Sequence, residues 1–256
     1  MTIITLTTDI GIKDFYLPAV KGFIYSQIPD AQIIDISHVI SPFNVSEASF
    51  ILRNCYLDFP PGSIHLISVD SDTTKNEDYI IVKNKGQYII GKNNGIISLI
   101  TDEKSDEVIK INNLLESDFL FPLKNILAKT ACKIAKKTAL KKLGSTSDFK
   151  LLSTLSPIIE KNIIRGTIIY IDNFGNAITN VSKSHFERFD KNLKPKVLIS
   201  NKFTMDKISK LYSDVSEGQI LAIFGSSGLL EIAMNKGNAS KLVGLTIQNK
   251  FFIDFK

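Results

Sequence analysis

A chain of 256 residues that is 44% hydrophobic can bury one large core or two modest ones. Its ordinary glycine, proline and charge content, with no low-complexity tract and no solenoid-period repeat, excludes a largely disordered or fibrous chain. The net charge of +5 raises nucleic acid or an anionic membrane as partners, but sparse arginine, no tryptophan and no basic strand interleaved with aromatics argue against both. No apolar run approaches the roughly 20 residues that span a bilayer, and the first thirty residues lack the pattern of a secretory leader, so the chain reads as cytoplasmic.

In chain order the first half reads as strand and helix in alternation. "IITLT" is a strand, followed by a helix expected to bury Phe15, Ala19, Val20, Phe23 and Ile24. "QIIDI" is a second strand. "NVSE" then opens a second helix, with Asn44 and Glu47 at capping-box spacing and Val45, Ala48, Ile51, Leu52 and Cys55 turned inward. "SIHLISVD" is a third strand, and "DYIIVKN" and "QYIIGKNNGIISLI" read as hairpin-like segments. A helix over "KNILAKTACKIAKK" shows Lys129, Lys133, Lys136 and Lys137 on one face, which is first a solvated face. Cys55 and Cys132 sit on apolar faces and read as packing residues.

Continuous apolar strands separated by helices imply a mainly parallel sheet covered on both faces, where ligands collect beyond the carboxyl ends of the strands. Asp9, Asp35 and Asp70 fall at such ends. Past the Ser/Thr-rich stretch before residue 160, strands become short and turn-separated, as in a small antiparallel barrel or sandwich. The expected fold is therefore an N-terminal α/β domain over 1–160 and a C-terminal all-β, barrel-like domain over 161–256.

Three segments carry polar chemistry. In "TTDIGIKD", Asp9 with Gly11 nearby suits a ribose diol, the plainer reading being a helix cap. In "YIDNFGNAITN", Asp172, Asn173, Asn176, Thr179 and Asn180 crowd around Phe174 and Gly175, a density that suits a zwitterion such as an amino acid. An ordinary hairpin turn is the plainer reading. In "FGSSGLLEIAMNKGNASKL", Ser226, Ser227 and Gly228 offer free N–H groups to a flat heterocycle, or simply start a helix. Among the three histidines, His38 lies nearest the expected cleft, although a lone histidine there is more often satisfied structurally. No grouping has metal-ligand spacing, and no cofactor is implied.

Together with "PDAQIIDISHVISPFNVSEASFIL", "FPPGSIHLISVD" and "GKNNGIISLI", these segments resemble, in order and over nearly the whole chain, the S-adenosylmethionine hydroxide adenosyltransferases, the family that also holds the fluorinase and chlorinase. The resemblance implies cleavage of S-adenosylmethionine by water at the ribose C5′, giving adenosine and L-methionine. It also implies a homotrimer whose ligand lies between the N-terminal domain of one subunit and the C-terminal domain of its neighbour. By that resemblance Asp9 holds the ribose hydroxyls and Phe43 faces the sugar and adenine, although Phe43 also fits a staple packing on the helix behind it. Asp172 and Asn176 hold the methionine end, Phe174 lines the same pocket, the Ser226–Ser227 turn meets adenine, and Asp70 is the catalytic acid.

The chain departs from the family pattern beside Asp70. Where the family has an arginine this sequence has Glu77, within "VDSDTTKNEDY". The family's Phe-His-Gly-Arg-Asp stretch is "FPLKN" here, with Pro122 for histidine, Lys124 for arginine and Asn125 for aspartate. Proline cannot act as a base, and the acids Asp70, Asp72, Glu77 and Asp78 repel one another, so that one could substitute as the base or all could form a solvated acidic loop. A catalytically silent trimer that binds the adenosyl ligand is the alternative function. Halogenation is disfavoured, because the fluorinase's extra loop is absent and a desolvated halide needs donors free of nearby anions.

Overall fold

A computed structural model describes residues 2–71, 78–101, 105–153, 155–190, 192–200 and 203–256. The chain divides into two compact units, residues 1–153 and 154–256. The first contains β1 (Ile3–Thr8), α1 (Tyr16–Gln27), β2 (Gln32–Ser37), α2 (Val45–Arg53), β3 (Ile64–Ser68), β4 (Tyr79–Asn84), β5 (Gln87–Lys92), α3 (Ile96–Ile100), β6 (Glu107–Ile111), α4 (Lys129–Ala135) and β7 (Gly144–Thr146). They build one sheet in the order β2-β1-β3-β5-β4-β6-β7. The first four strands in that order run parallel, and β4, β6 and β7 join as antiparallel neighbours.

The period of two along each strand decides the layers. Ile4, Leu6, Leu66, Ile81 and Ile90 pack with Val20 and Ile24 of α1 and with Ala131 and Cys132 of α4. Their neighbours Ile67, Val69, Ile80, Val82 and Ile89 pack with Ala48 and Leu52 of α2 and Ile96 and Ile100 of α3. Each fully buried side chain of this kind contributes about 1.5–3 kcal/mol, so a sheet covered on both faces is the stable arrangement for strands without a polar face.

Several details differ from the expectation. Phe15 is the N-cap of α1 and 69% exposed, whereas Val20 and Ile24 are buried as expected, Ala19 and Phe23 are partly buried, and Leu17 joins them inside. The helix therefore begins seven residues after Asp9, which rules out a capping role for that acid. "GIISLI" forms α3 rather than part of a hairpin, while β4 and β5 pair with each other. Asn44 does cap α2, accepting from the Glu47 N–H at 3.1 Å, and the Glu47 carboxylate reaches back to the Ser41 N–H. Cys55 lies just past α2 and is half-buried, Cys132 is buried, and burial pushes both thiols up. The lysine segment opens with a π-helical turn, Leu123–Ala128, before α4. No helix of the described residues is long and apolar enough to cross a membrane.

The second unit contains β8 (Ile158–Glu160), β9 (Ile163–Ile171), β10 (Ala177–Ser182), α5 (Lys183–Phe186), β11 (Pro195–Ser200), β12 (Phe203–Met205), β13 (Ile208–Ser209), β14 (Ile220–Phe224), β15 (Leu229–Met234), α6 (Ala239–Val243) and β16 (Lys250–Phe255). They form a barrel-like sheet in the order β12-β11-β16-β9-β10-β15-β14-β13, with β8 on β9. Its core gathers Ile164, Ile168, Val181, Val197, Leu230, Ile232, Phe251 and Ile253. Gly166 faces Phe251 across the β9–β16 ladder, and a Cβ there would stand 2.3 Å from the Phe251 ring. Gly166→Ala is accordingly expected to destabilise this unit by about 1–3 kcal/mol, read as an earlier urea midpoint. An unchanged midpoint contradicts the packing described.

Candidate active site

The chain leaves β1 for β2 on one side and returns past it to β3 on the other, so the strand order reverses between β1 and β3. At such a switch point the loops leave in opposite directions and open a crevice beyond the carboxyl ends. Asp9 directly follows β1 and Asp70 closely follows β3, so both stand at that crevice. The Asp9 Oδ2 accepts from the main-chain N–H of Phe43 at 2.9 Å and of Asp70 at 3.3 Å. Its Oδ1 takes no hydrogen bond, and the Asp70 carboxylate has neither hydrogen bond nor ion pair, among the described residues.

Phe43 and Asp70 both adopt left-handed backbone, with φ of 64° and 52°. A non-glycine residue pays about 1–2 kcal/mol for that conformation, and here the shared carboxylate stabilises both turns. The Phe43 ring is 60% exposed, so it does not staple α2 as the plainer reading had it. The structure therefore brings Asp9, Phe43 and Asp70 together.

Beside them His38, at the end of β2, is buried and bonded through Nδ1 to the Thr8 hydroxyl at 2.8 Å. Its Nε2 lies 3.1 Å from Asp35 Oδ1, in ion-pair range but not aligned as a hydrogen bond. Burial works to raise the Asp35 carboxyl, yet Lys21 at 2.6 Å and His38 outweigh it and hold the group below the usual range. His65 is enclosed between Thr5 and Gln87, and burial pushes its imidazole down. His185 caps α5 through Nδ1. Every histidine thus has a structural occupation.

Two residues that the sequence reading passed over, one buried and one partly buried, hold the chain beside Asp70. Lys92, the last residue of β5, is 4% exposed and donates from Nζ to the Asp70 carbonyl at 2.9 Å. Asn94 donates to the Val69 carbonyl. Lys92 could have been noticed as the charge ending an otherwise apolar strand. Glu77 and Asp72 lie outside the described residues. Pro122 starts the π-helical turn, and the Asn125 amide donates to the Ser117 carbonyl.

In the second unit Asp172 and Asn176 close the β9–β10 turn on each other. The Asp172 carboxylate accepts the Asn176 N–H at 2.8 Å and its amide at 2.9 Å. The segment is thus the hairpin turn of the plainer reading, with Phe174 projecting from it 74% exposed. Ser226 and Ser227 lie in the β14–β15 hairpin, which rules out a helix start there. By register Ala177 faces Ile232 and Ser182 faces Leu229. The Ser226–Ser227 turn and the Asp172–Asn176 turn therefore lie toward opposite ends of the β10–β15 ladder.

Glu231, which the sequence reading missed, stands between them on β15, 7% exposed. It accepts from the Tyr212 hydroxyl at 3.0 Å. Its other oxygen occupies the space where a Gly225 Cβ would be. Burial pushes the Glu231 carboxyl up, the Tyr212 hydrogen bond pulls it part of the way back, and the Asp172 charge adds to the rise. Burial and then the Glu231 charge push the Tyr212 hydroxyl up to about 12. Among the described residues no group of three or more histidine, cysteine or acidic side chains is arranged to hold a metal ion.

A doubly covered sheet whose strand order reverses beside two aspartates is the arrangement of an α/β ligand-binding protein. Residues 4–144 match the sequence profile of the SAM hydroxide adenosyltransferase N-terminal domain, and residues 166–251 match that of the C-terminal domain. The chain belongs to the SAM hydroxide adenosyltransferase family. A curated relative from Methanocaldococcus jannaschii, named (R)-S-adenosyl-L-methionine hydrolase, is 30% identical over 96% of this chain and 93% of its own. A protein of the same name from Thermus thermophilus is 23% identical over 93% and 94%. A fluorinase from an Actinoplanes species is 22% identical over 91% of each chain. The crystal structure of an uncharacterized conserved protein from Thermotoga maritima superposes with a TM-score of 0.87 at 30% identity, over 98% of this chain and 99% of that one.

The raised Glu231 carboxyl makes stability depend on pH with a definite sign. Its proton is held more tightly folded than unfolded, so stability is greatest below the ordinary glutamate value of about 4.3 and falls as pH rises through the higher folded value. Glu231→Gln keeps the acceptor for Tyr212 and removes the charge. It is expected to melt at a higher temperature than the wild type at pH 8 and at the same temperature near pH 4. Parallel melting curves across that range contradict the assignment.

Proposed function

We propose that this protein is an enzyme that hydrolyses S-adenosyl-L-methionine to adenosine and L-methionine, and is not a halogenase. Water attacks the ribose C5′, the C5′–S bond breaks with its electron pair passing to sulfur, and one proton is released. The sulfonium leaves as a neutral thioether, so the chemistry needs no acid for the leaving group. What remains is to place the water and accept its proton. Support comes from family membership, from hydrolase-named relatives over nearly the full chain, and above all from the two aspartates at the switch point, whose carboxylates keep oxygens without a partner among the described residues.

In this reading Asp9 Oδ1 accepts from the ribose hydroxyls while Oδ2 keeps the loops in place. The exposed Phe43 ring covers the sugar and adenine, and Asp70 orients the water and takes its proton. Asp172, Phe174 and Asn176 receive the methionine end and Ser226 and Ser227 the adenine, within a cytoplasmic homotrimer in which neighbouring subunits complete each site. A ligand-binding trimer without turnover is the second reading, favoured by Pro122, which can neither donate nor accept a proton through its side chain. The fluoride chemistry of the more distant relatives fits poorly with the acids between residues 70 and 78.

Incubation with S-adenosyl-L-methionine is expected to yield adenosine and methionine in equal amounts by chromatography. Binding by calorimetry with no product overnight selects the second reading. Asp70→Asn is expected to lower kcat by about 100-fold with little change in KM, whereas Asp9→Asn, which keeps an acceptor for the two main-chain N–H groups, raises KM by about 10-fold. Equal effects of the two variants on both constants contradict this division of roles. Glu77→Arg combined with Pro122→His is expected to raise kcat. A folded double variant with the wild-type rate removes these positions from the chemistry.

A further inference from the structure

We infer that Lys92 is a positioning residue for this reaction: its buried ammonium holds the main chain of Asp70 in the left-handed conformation that aims the Asp70 carboxylate at the attacking water. This rests on the hydrolase reading above.

The sheet order puts β3 between β1 and β5. The β3–β5 ladder runs as far as Ile67 opposite Gly91, and beyond it the chain of β3 turns away toward Asp70. Where ladder bonds stop, charged side chains from the two flanking strands take over. From the β1 side, Asp9 Oδ2 accepts the Asp70 N–H at 3.3 Å. From the β5 side, Lys92 Nζ donates to the Asp70 carbonyl at 2.9 Å. Both main-chain polar groups of a residue with φ of 52° are thereby held, one by an anion and one by a cation. Gly91 permits the close approach, since a Cβ there would stand 2.8 Å from the Ile67 side chain and 3.0 Å from its carbonyl.

The burial of Lys92 is informative. A lysine at the end of a strand can extend its flexible stem and leave the ammonium in water, and withdrawing that charge is costly. Lys92 is nevertheless 4% exposed, with its head on the carbonyl of the residue that carries the reaction. An apolar side chain would fill the same volume without that cost, but it would leave the Asp70 carbonyl without this donor. Where the family resemblance leads one to expect an arginine the sequence has Glu77, and Lys92 brings a cation to the main chain of Asp70. Because Lys92 acts on the main chain, it governs where the Asp70 carboxylate points and leaves the ligand contacts of Asp9 and Phe43 alone.

Lys92→Met keeps the length of the stem and removes the donor and the charge. Steady-state kinetics with S-adenosyl-L-methionine are expected to show kcat lowered at least tenfold with KM within twofold of the wild type. Amide hydrogen exchange resolved by NMR is expected to show the Asp70 amide exchanging at least tenfold faster, with the Ile90 amide in mid-strand still protected. A wild-type kcat, an Asp70 amide exchanging at its original rate, or acceleration of Ile90 together with Asp70 overturns the inference, the last by showing that Lys92 only stabilises the sheet. If the unmodified protein releases no adenosine, the hydrolase reading fails and the positioning role falls with it. The exchange measurement then still decides whether Lys92 holds the Asp70 main chain.

Discussion

One carboxylate oxygen organises the N-terminal unit's site. Asp9 Oδ2 receives main-chain N–H groups from the loop after β2 and the loop after β3, while Asp9 itself begins the loop after β1. Three connections that the topology sends in different directions are thus fastened at one atom. Hydrogen bonds to an ionised acceptor are worth about 1.5–3 kcal/mol each, enough to offset the left-handed conformations at Phe43 and Asp70. The walls of the crevice share that anchor, and its second oxygen takes no hydrogen bond among the described residues.

Both units place a charged group where strand patterning calls for an apolar one, namely Lys92 at the end of β5 and Glu231 within β15. Each is costly to bury, and each makes a hydrogen bond there, Lys92 to a carbonyl and Glu231 to a phenol. Both hold a neighbouring polar segment by a hydrogen bond.

The alternation of β1, α1, β2, α2 and β3 could be read from the sequence because their apolar spacings are unambiguous, and the acids at strand ends could be read because polarity changes abruptly there. Phe15 misled because a helix stripe can be extrapolated past its first turn, while the chain before Tyr16 is still a loop. "GIISLI" misled because five consecutive apolar-rich residues carry no period, and only packing against α2 decides that they coil. Glu231 and Lys92 were passed over for a different reason: a single charge in a strand looks like a solvent-facing position until the second face of the sheet is covered. The interplay of Asp9 with Phe43 and Asp70 joins residues 34 and 61 positions apart, a distance at which local patterning says nothing.

The π-helical turn at Leu123–Ala128 bears on how this chain tolerates a change of length. A wide turn accommodates a surplus residue without disturbing the helix beyond it, so Ala131, Cys132 and Ile134 stay inward while the segment before them is wound differently. Loss of a single residue there would restore ordinary winding within the turn and leave that inward face in place. The mouth of that helix can therefore change in length by one residue without giving up the side chains it buries.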